Sequence, residues 1–117
     1  LMYKLVIMIE DLPDQDQFDN MWPEFLHVSE TMPGLIKEAT CRVDSTIYGS
    51  YHPSILHELF FESISDIQQA MSSPEGQAAG GLLQQITGGK MSLVIADHKE
   101  DDLDNIRRYK NNQTEDD

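Results

Sequence analysis

Residues 1–10 read LMYKLVIMIE. From Tyr3 to Ile9 the stretch is almost continuously apolar, which predicts a strand buried on both faces. Tyr3, Leu5, Ile7 and Ile9 form one alternate set; Met2, Val6 and Met8 form the other. The run is far short of the ~20 apolar residues of a membrane span. It also lacks the basic lead and small-residue cleavage site of a secretory signal, so it reads as a strand. How a small domain hides both faces of this strand decides the fold.

The next segment, DLPDQD (11–16), carries acids suited to capping a helix. Phe18, Met21, Trp22, Phe25, Val28 and Met32 then recur at helical spacing, predicting a first helix over about 15–31. Pro23 removes one hydrogen bond inside it and predicts a kink, and Pro33-Gly34 ends it. Residues 35–43 read as a second strand, 44–53 as an exposed connection, and SILHELFF (54–61) as a third strand. Ser63-x-x-Asp66 opens a short helix with Ile64, Ile67 and Met71. Ser73-Pro74-Glu75 opens the next helical stretch, which carries Ala78, Leu82, Leu83 and Ile86. Gly80-Gly81 in its middle costs roughly 2 kcal/mol relative to Ala-Ala, so a close approach to the sheet or a pocket wall is expected there. Gly88-Gly89 stops the helix, and KMSLVIA (90–96) is the fourth strand.

The order β-α-β-β-α-β predicts an α+β domain of the ferredoxin-like plan over residues 1–98. Its antiparallel four-stranded sheet would carry helices on one face. Two helices cover only that face, and the simplest cover for the other is the same sheet of a second copy. A homodimer through the sheet faces follows. From Lys99 the chain is highly charged and ends NNQTEDD, so 99–117 reads as an acidic, mobile tail with a helical stretch around Leu103 to Tyr109.

The chain has 117 residues and a net charge of −13, which argues against nucleic acid and anionic membranes as partners. Cys41 is its one cysteine, so no intrachain disulfide or cysteine-based zinc site forms, in keeping with a cytoplasmic protein. Alternating with Ala39 and Val43, Cys41 reads as a small buried side chain. The four histidines show no metal-binding spacing, and there is no phosphate loop, nucleotide fingerprint or Ser-His-Asp signature. Neither a metal nor a cofactor is expected.

Candidate polar groups remain. On a straight helix His27 lies opposite Phe18, Trp22 and Phe25, in water; a kink at Pro23 would turn it toward a pocket. His57 shares the helix side of its strand with Leu59 and Phe61, either beside a cavity or bonded to backbone or water. Lys4 and Glu58 fall on the opposite face and are expected to pair. Tyr48, Tyr51 and His52 either rim a pocket or are plain exposed loop.

Three stretches taken together resemble the EthD family, within the dimeric α+β barrel superfamily. They are the first helix with Trp22 and His27 leading into MPGL (32–35), HELFFES (57–63), and SSPEGQAAGGLLQQITGG (72–89). The resemblance covers about residues 2–98. It implies a ferredoxin-like protomer and a homodimer closed into a barrel. Relatives in the superfamily include cofactor-independent monooxygenases, polyketide cyclases and lactone isomerases, some with a histidine at the position of His27. A small apolar pocket between sheet and helices is then expected, walled by Tyr3, Leu5, Trp22, Leu26, Leu59, Phe61 and Leu82 and rimmed by Tyr48, Tyr51 and His52. His27 and His57 would be its catalytic groups. The first expected function is a cofactor-independent oxidoreductase, monooxygenase, isomerase or cyclase acting on a small aromatic, polyketide-like or lactone molecule in a degradative pathway. The alternative is a non-catalytic binding or accessory protein of a degradative oxidation system. A haem-binding relative, needing an axial histidine, is a third.

Overall fold

The computed structural model describes residues 2–12, 14–104 and 107–110. Its elements are β1 (Met2–Ile9), α1 (Gln15–Ser29), β2 (Lys37–Arg42), β3 (Ile55–Phe61), α2 (Ile64–Ser72), α3 (Pro74–Thr87) and β4 (Met91–His98). The strands form one antiparallel sheet in the order β2-β3-β1-β4. This is the ferredoxin-like α+β arrangement, with the apolar β1 in the interior of the sheet and β2 and β4 at its edges.

Local chemistry explains the boundaries. The Asp14 carboxylate accepts from the Gln17 N–H at 3.0 Å and starts α1. Ser63 caps α2 in the same way through the Asp66 N–H. The second helical segment is divided at Ser73, one residue that ends α2 and caps α3. Its hydroxyl donates to the Ala70 carbonyl at 2.6 Å and accepts from the Gly76 N–H at 3.0 Å. Gly88 closes α3 in the left-handed conformation, φ 61°. The fourth strand runs two residues beyond the expected end, because Asp97 and His98 continue the pairing with Tyr3 and Met2.

Alternation divides the sheet cleanly. Leu5, Ile7 and Ile9 of β1 and Ile55, His57, Leu59 and Phe61 of β3 are buried under the helices. They meet Phe18, Trp22 and Phe25 of α1, Ile67 and Ala70 of α2, and Ala79, Leu83 and Ile86 of α3. The opposite face carries Met2, Lys4, Val6 and Met8, all half-buried, with Val94 exposed. There Lys4 Nζ pairs with Glu58 Oε1 at 2.9 Å. Phe60 is buried on that face beneath Lys37 Nζ, 4.7 Å from its ring centroid, and the edge of the His98 ring. Cys41 is exposed in the single chain, not buried, since it sits on this helix-free face of the edge strand β2.

Beyond β4, residues 103–104 and 107–110 have helical backbone, with Leu103 and Tyr109 exposed. Residues 105–106, with Ile106, and 111–117 of the expected tail lie outside the described residues.

Candidate functional site

Between the sheet and the helices lies a cavity of about 220 Å³. Its floor is Leu5, Ile7, Leu59 and Leu93 of the sheet; its roof is Phe25, Met32, Met71, Ala79 and Leu83. Gly76, Gln77 and Gly80 of α3 complete it. Gln77 supplies the one polar side chain of this lining. A Cβ built on Gly80 or on Gly81 meets no atom within 4 Å, and only Gly80 of the two lines the cavity. Gly80 is therefore a pocket wall, not a point of close approach. Both Gly80→Ala and Gly81→Ala should raise stability by about 1 kcal/mol through helix propensity. Gly80→Ala alone should weaken binding of an apolar probe, because its methyl group faces the cavity. Denaturant unfolding and a probe titration on the two variants check this.

Beside the cavity, on β2 and β3, is a polar network whose side chains are not part of its lining. His57 is fully buried, with its ring edge-on to Trp22 at 5.2 Å and to Phe25 at 5.7 Å between centroids. Its Nδ1 lies 2.9 Å from Thr40 Oγ1 and its Nε2 3.1 Å from Glu38 Oε1. The same carboxylate oxygen accepts from the Ser29 hydroxyl at 2.6 Å. An ionised carboxylate only accepts, so Nε2 carries a proton. Partial burial pushes the Glu38 carboxyl up, but the hydrogen bonds from His57 and Ser29 and the His57 charge together push harder. The net displacement is below the ordinary carboxylate value.

The network follows from strand register. Glu38 and Thr40 are two apart on β2, so they share a face; Thr40 is paired with His57 and Glu38 with Leu59. Ser29 reaches them from the last turn of α1. The sequence placed His57 on the helix side but missed Glu38, Thr40 and Ser29. The signal was present in the alternation of KEATCR (37–42), a charged and a hydroxyl side chain facing a buried histidine.

His27 is a correction. It sits on α1 with its side chain 83% exposed, and Nδ1 lies 3.4 Å from Glu30 Oε1 one turn on. Pro23 is accommodated within α1 without turning this ring toward the sheet. Helical periodicity thus carries His27 to the outer side of α1, and it is not among the residues that line the sheet–helix cavity. Among the expected walls, Leu5 and Leu59 line the cavity. Trp22 and Phe61 are buried in the core beside it, and Tyr3, Leu26 and Leu82 pack on that core half-buried. Trp22 is held in a stack between Phe18 and Phe25, at 5.0 and 4.9 Å, which commits its ring to packing. Tyr51 and His52 line a shallow hollow with Glu10, Asp11, Ser50 and Lys90, and Tyr48 is almost wholly exposed. The connection does not rim the cavity of its own chain, because it leaves the sheet at the Ile9 and Ile55 end. Among the described residues no group of three or more His, Cys, Asp or Glu side chains converges as a metal site. No described helix is long and apolar enough to cross a membrane.

No protein-family model matches the chain. An uncharacterized 11.0 kDa protein from the thcB-thcC intergenic region of Rhodococcus erythropolis is 25% identical over 99 residues, 84% of this chain and 96% of that protein. Among solved structures, an ethyl tert-butyl ether D (EthD) family protein from Bacillus halodurans superposes with a TM-score of 0.77 at 24% identity, covering 85% of this chain and all of that one. A dimeric ferredoxin-like protein of unknown function from Jannaschia superposes at 0.67 and 16% identity, over 84% of this chain and all of that one. The hydroxynitrile lyase of Passiflora edulis does so at 0.68 and 11% identity, over 86% and 96%. One fold thus serves unlike proteins, and the reaction, if any, must be argued from the site. The chain has the ferredoxin-like fold, shared with an EthD family protein and with a dimeric protein of unknown function.

Proposed function

We propose that the chain is an EthD-like, cytosolic homodimer that binds a small, uncharged, largely apolar molecule in the sheet–helix cavity, as a non-catalytic binding or accessory protein of a degradative oxidation system. The observation that carries this reading is the cavity lining, apolar except for the Gln77 amide. A charged ligand would lose its hydration there without a counter-charge. A cavity of ~150 Å³ lined by aliphatic and aromatic side chains accepts benzene. The present volume of about 220 Å³ suits one substituted ring or a branched alkyl compound. No histidine lines it, so it offers haem no axial nitrogen, and the residues do not fit that group.

The methionines provide a direct test. Met32 and Met71 line the cavity, whereas Met2 and Met8 lie on the opposite face of the sheet. With methyl-13C-methionine, titration with toluene should move the Met32 and Met71 signals and leave Met2 and Met8 in place. Uniform shifts, or none, would end the proposal.

A catalytic reading is favoured by a different observation, the Thr40–His57–Glu38 relay, in which imidazole links a hydroxyl to a carboxylate. It would serve cofactor-free proton transfer, as in an isomerase or cyclase. The network is absent from the cavity wall, which ranks this reading second.

The dimer is supported by the half-buried apolar face of β1 and by dimeric proteins of the same fold. Sedimentation equilibrium at micromolar concentration should give about twice the 13.3 kDa chain mass. A soluble monomer would leave Val6, Met8 and Val94 without their expected cover.

A further inference from the structure

The connection between β2 and β3 holds the most exposed apolar side chains on the molecule's described surface. Ile47 is 98% exposed and Tyr48 95%. Gly49 beside them, at φ 105°, forms the turn that presents this tip. Two large apolar residues held clear of their own chain indicate a docking element. A second apolar surface lies elsewhere. Met71, Leu93 and Ile95 are each about two-fifths exposed, and Met71 and Leu93 also line the cavity. Gly80 leaves open space at the same wall.

We propose that the Ile47–Tyr48 tip of one copy caps the cavity mouth of its partner, at Met71, Leu93 and Ile95, so that each ligand site is completed by the second chain. The inference rests on the binding reading given above. Three observations commit it to a second copy. The tip belongs to the β2–β3 hairpin, whose helix-free face (Ala39, Leu56, Phe60) is part of the sheet surface that the homodimer covers, so it extends that interface. Residues 45–52, STIYGSYH, contain no Asp, Glu, Lys or Arg in a chain of net charge −13. Like charges placed across a contact between two such chains would cost binding, and Met71, Leu93 and Ile95 offer the tip apolar side chains instead. Finally, β2 and β4 are opposite edges of the sheet, and the tip makes almost no contact within its own chain. A tip-to-mouth contact is used twice in a two-fold dimer.

Cross-linking between tagged copies tests this. In a Cys41→Ser background, Ile47→Cys is mixed with Leu93→Cys and treated with a short bismaleimide; Ile47→Cys mixed with Gln85→Cys, on the exposed face of α3, is the control. All three positions are exposed, so the substitutions are compatible with folding. The tip–mouth pair should link at least tenfold faster than the control, by its raised effective concentration. Equal rates, or linkage only between two Ile47→Cys tips, overturn the proposal and leave the tip to a different partner. The methionine titration on the unmodified protein separates the two failures. Toluene shifts at Met32 and Met71 without tip–mouth linkage sink only the cap, whereas their absence sinks the binding reading beneath it.

Discussion

Gly76→Ala is expected to lower the melting temperature by on the order of 10 °C or more, although Ala is the better helix former. Gly76 lies in the first turn of α3, directly after the Ser73 junction with α2. A Cβ at this position would fall far inside van der Waals contact distance of the Ala70 carbonyl oxygen and against the Met71 backbone. That carbonyl already accepts from the Ser73 hydroxyl, which in turn accepts from the Gly76 N–H. The obstacle is main chain, tied to the Gly76 N–H through the Ser73 hydroxyl, so no side-chain rotation can relieve the overlap. Either α3 moves off α2, or the cap breaks. Loss of the cap alone costs about 1 kcal/mol, and forced displacement of packed backbone costs ~1–3 kcal/mol more. The displaced residues include Met71, Gln77 and Ala79, which line the cavity, so probe binding should fall as well. Calorimetry on Gly76→Ala beside Gly80→Ala and Gly81→Ala decides the matter. A Gly76 variant as stable as the other two would show that the junction is soft.

This contrast also shows what could be read from the chain alone. Gly80-Gly81 stands out in the sequence because a double glycine runs against helix propensity, a local rule. Gly76 is unremarkable to that rule, being an ordinary third residue after a cap. Its need for a bare α-carbon arises from a neighbouring helix end that no local window describes. The strands were legible for the opposite reason. Alternation has a period of two, and a one-residue error would move Leu5, Ile7 and Ile9 to the wrong face. Register likewise put His57 under the helices. What was missing was the partner strand, for Glu38 and Thr40 become its neighbours only once β2 is aligned against β3. His27 was not legible because a proline in the sequence suggests more leverage than a packed helix allows it. The Phe18, Trp22 and Phe25 stack fixes the buried face of α1, and His27 is then carried to the outside.

His57→Ala should destabilise the domain by ~3–5 kcal/mol at pH 7, the range for breaking a buried, paired polar group. The ring is fully buried, touches Trp22 and Phe25 edge-on, and holds both Thr40 and Glu38. Thr40 is exposed and can turn to water, but the Glu38 side chain, 17% exposed, keeps only the Ser29 hydroxyl. The cost is therefore a void beneath two aromatic rings plus a carboxylate deprived of its main donor. Acidity gives a second readout. Because the folded-state pKa of Glu38 is lowered, its contribution is present above the unfolded value of roughly 4.3 and is lost as pH falls through the lower, folded value. Urea unfolding from pH 7 to pH 3 should show that acid loss in the native chain and less of it in Glu38→Gln, which cannot titrate there. In His57→Ala the depressing hydrogen bond is gone, so its acid loss should be smaller too, from a lower starting stability. Toluene-induced shifts at Met32 and Met71 should persist in the fraction that stays folded, since neither His57 nor Glu38 lines the cavity. A variant within about 1 kcal/mol of the native chain, with the acid slope unchanged, would mean that the imidazole carries no structural load. The Thr40–His57–Glu38 relay would then need a purpose in chemistry, and the catalytic reading would take first place.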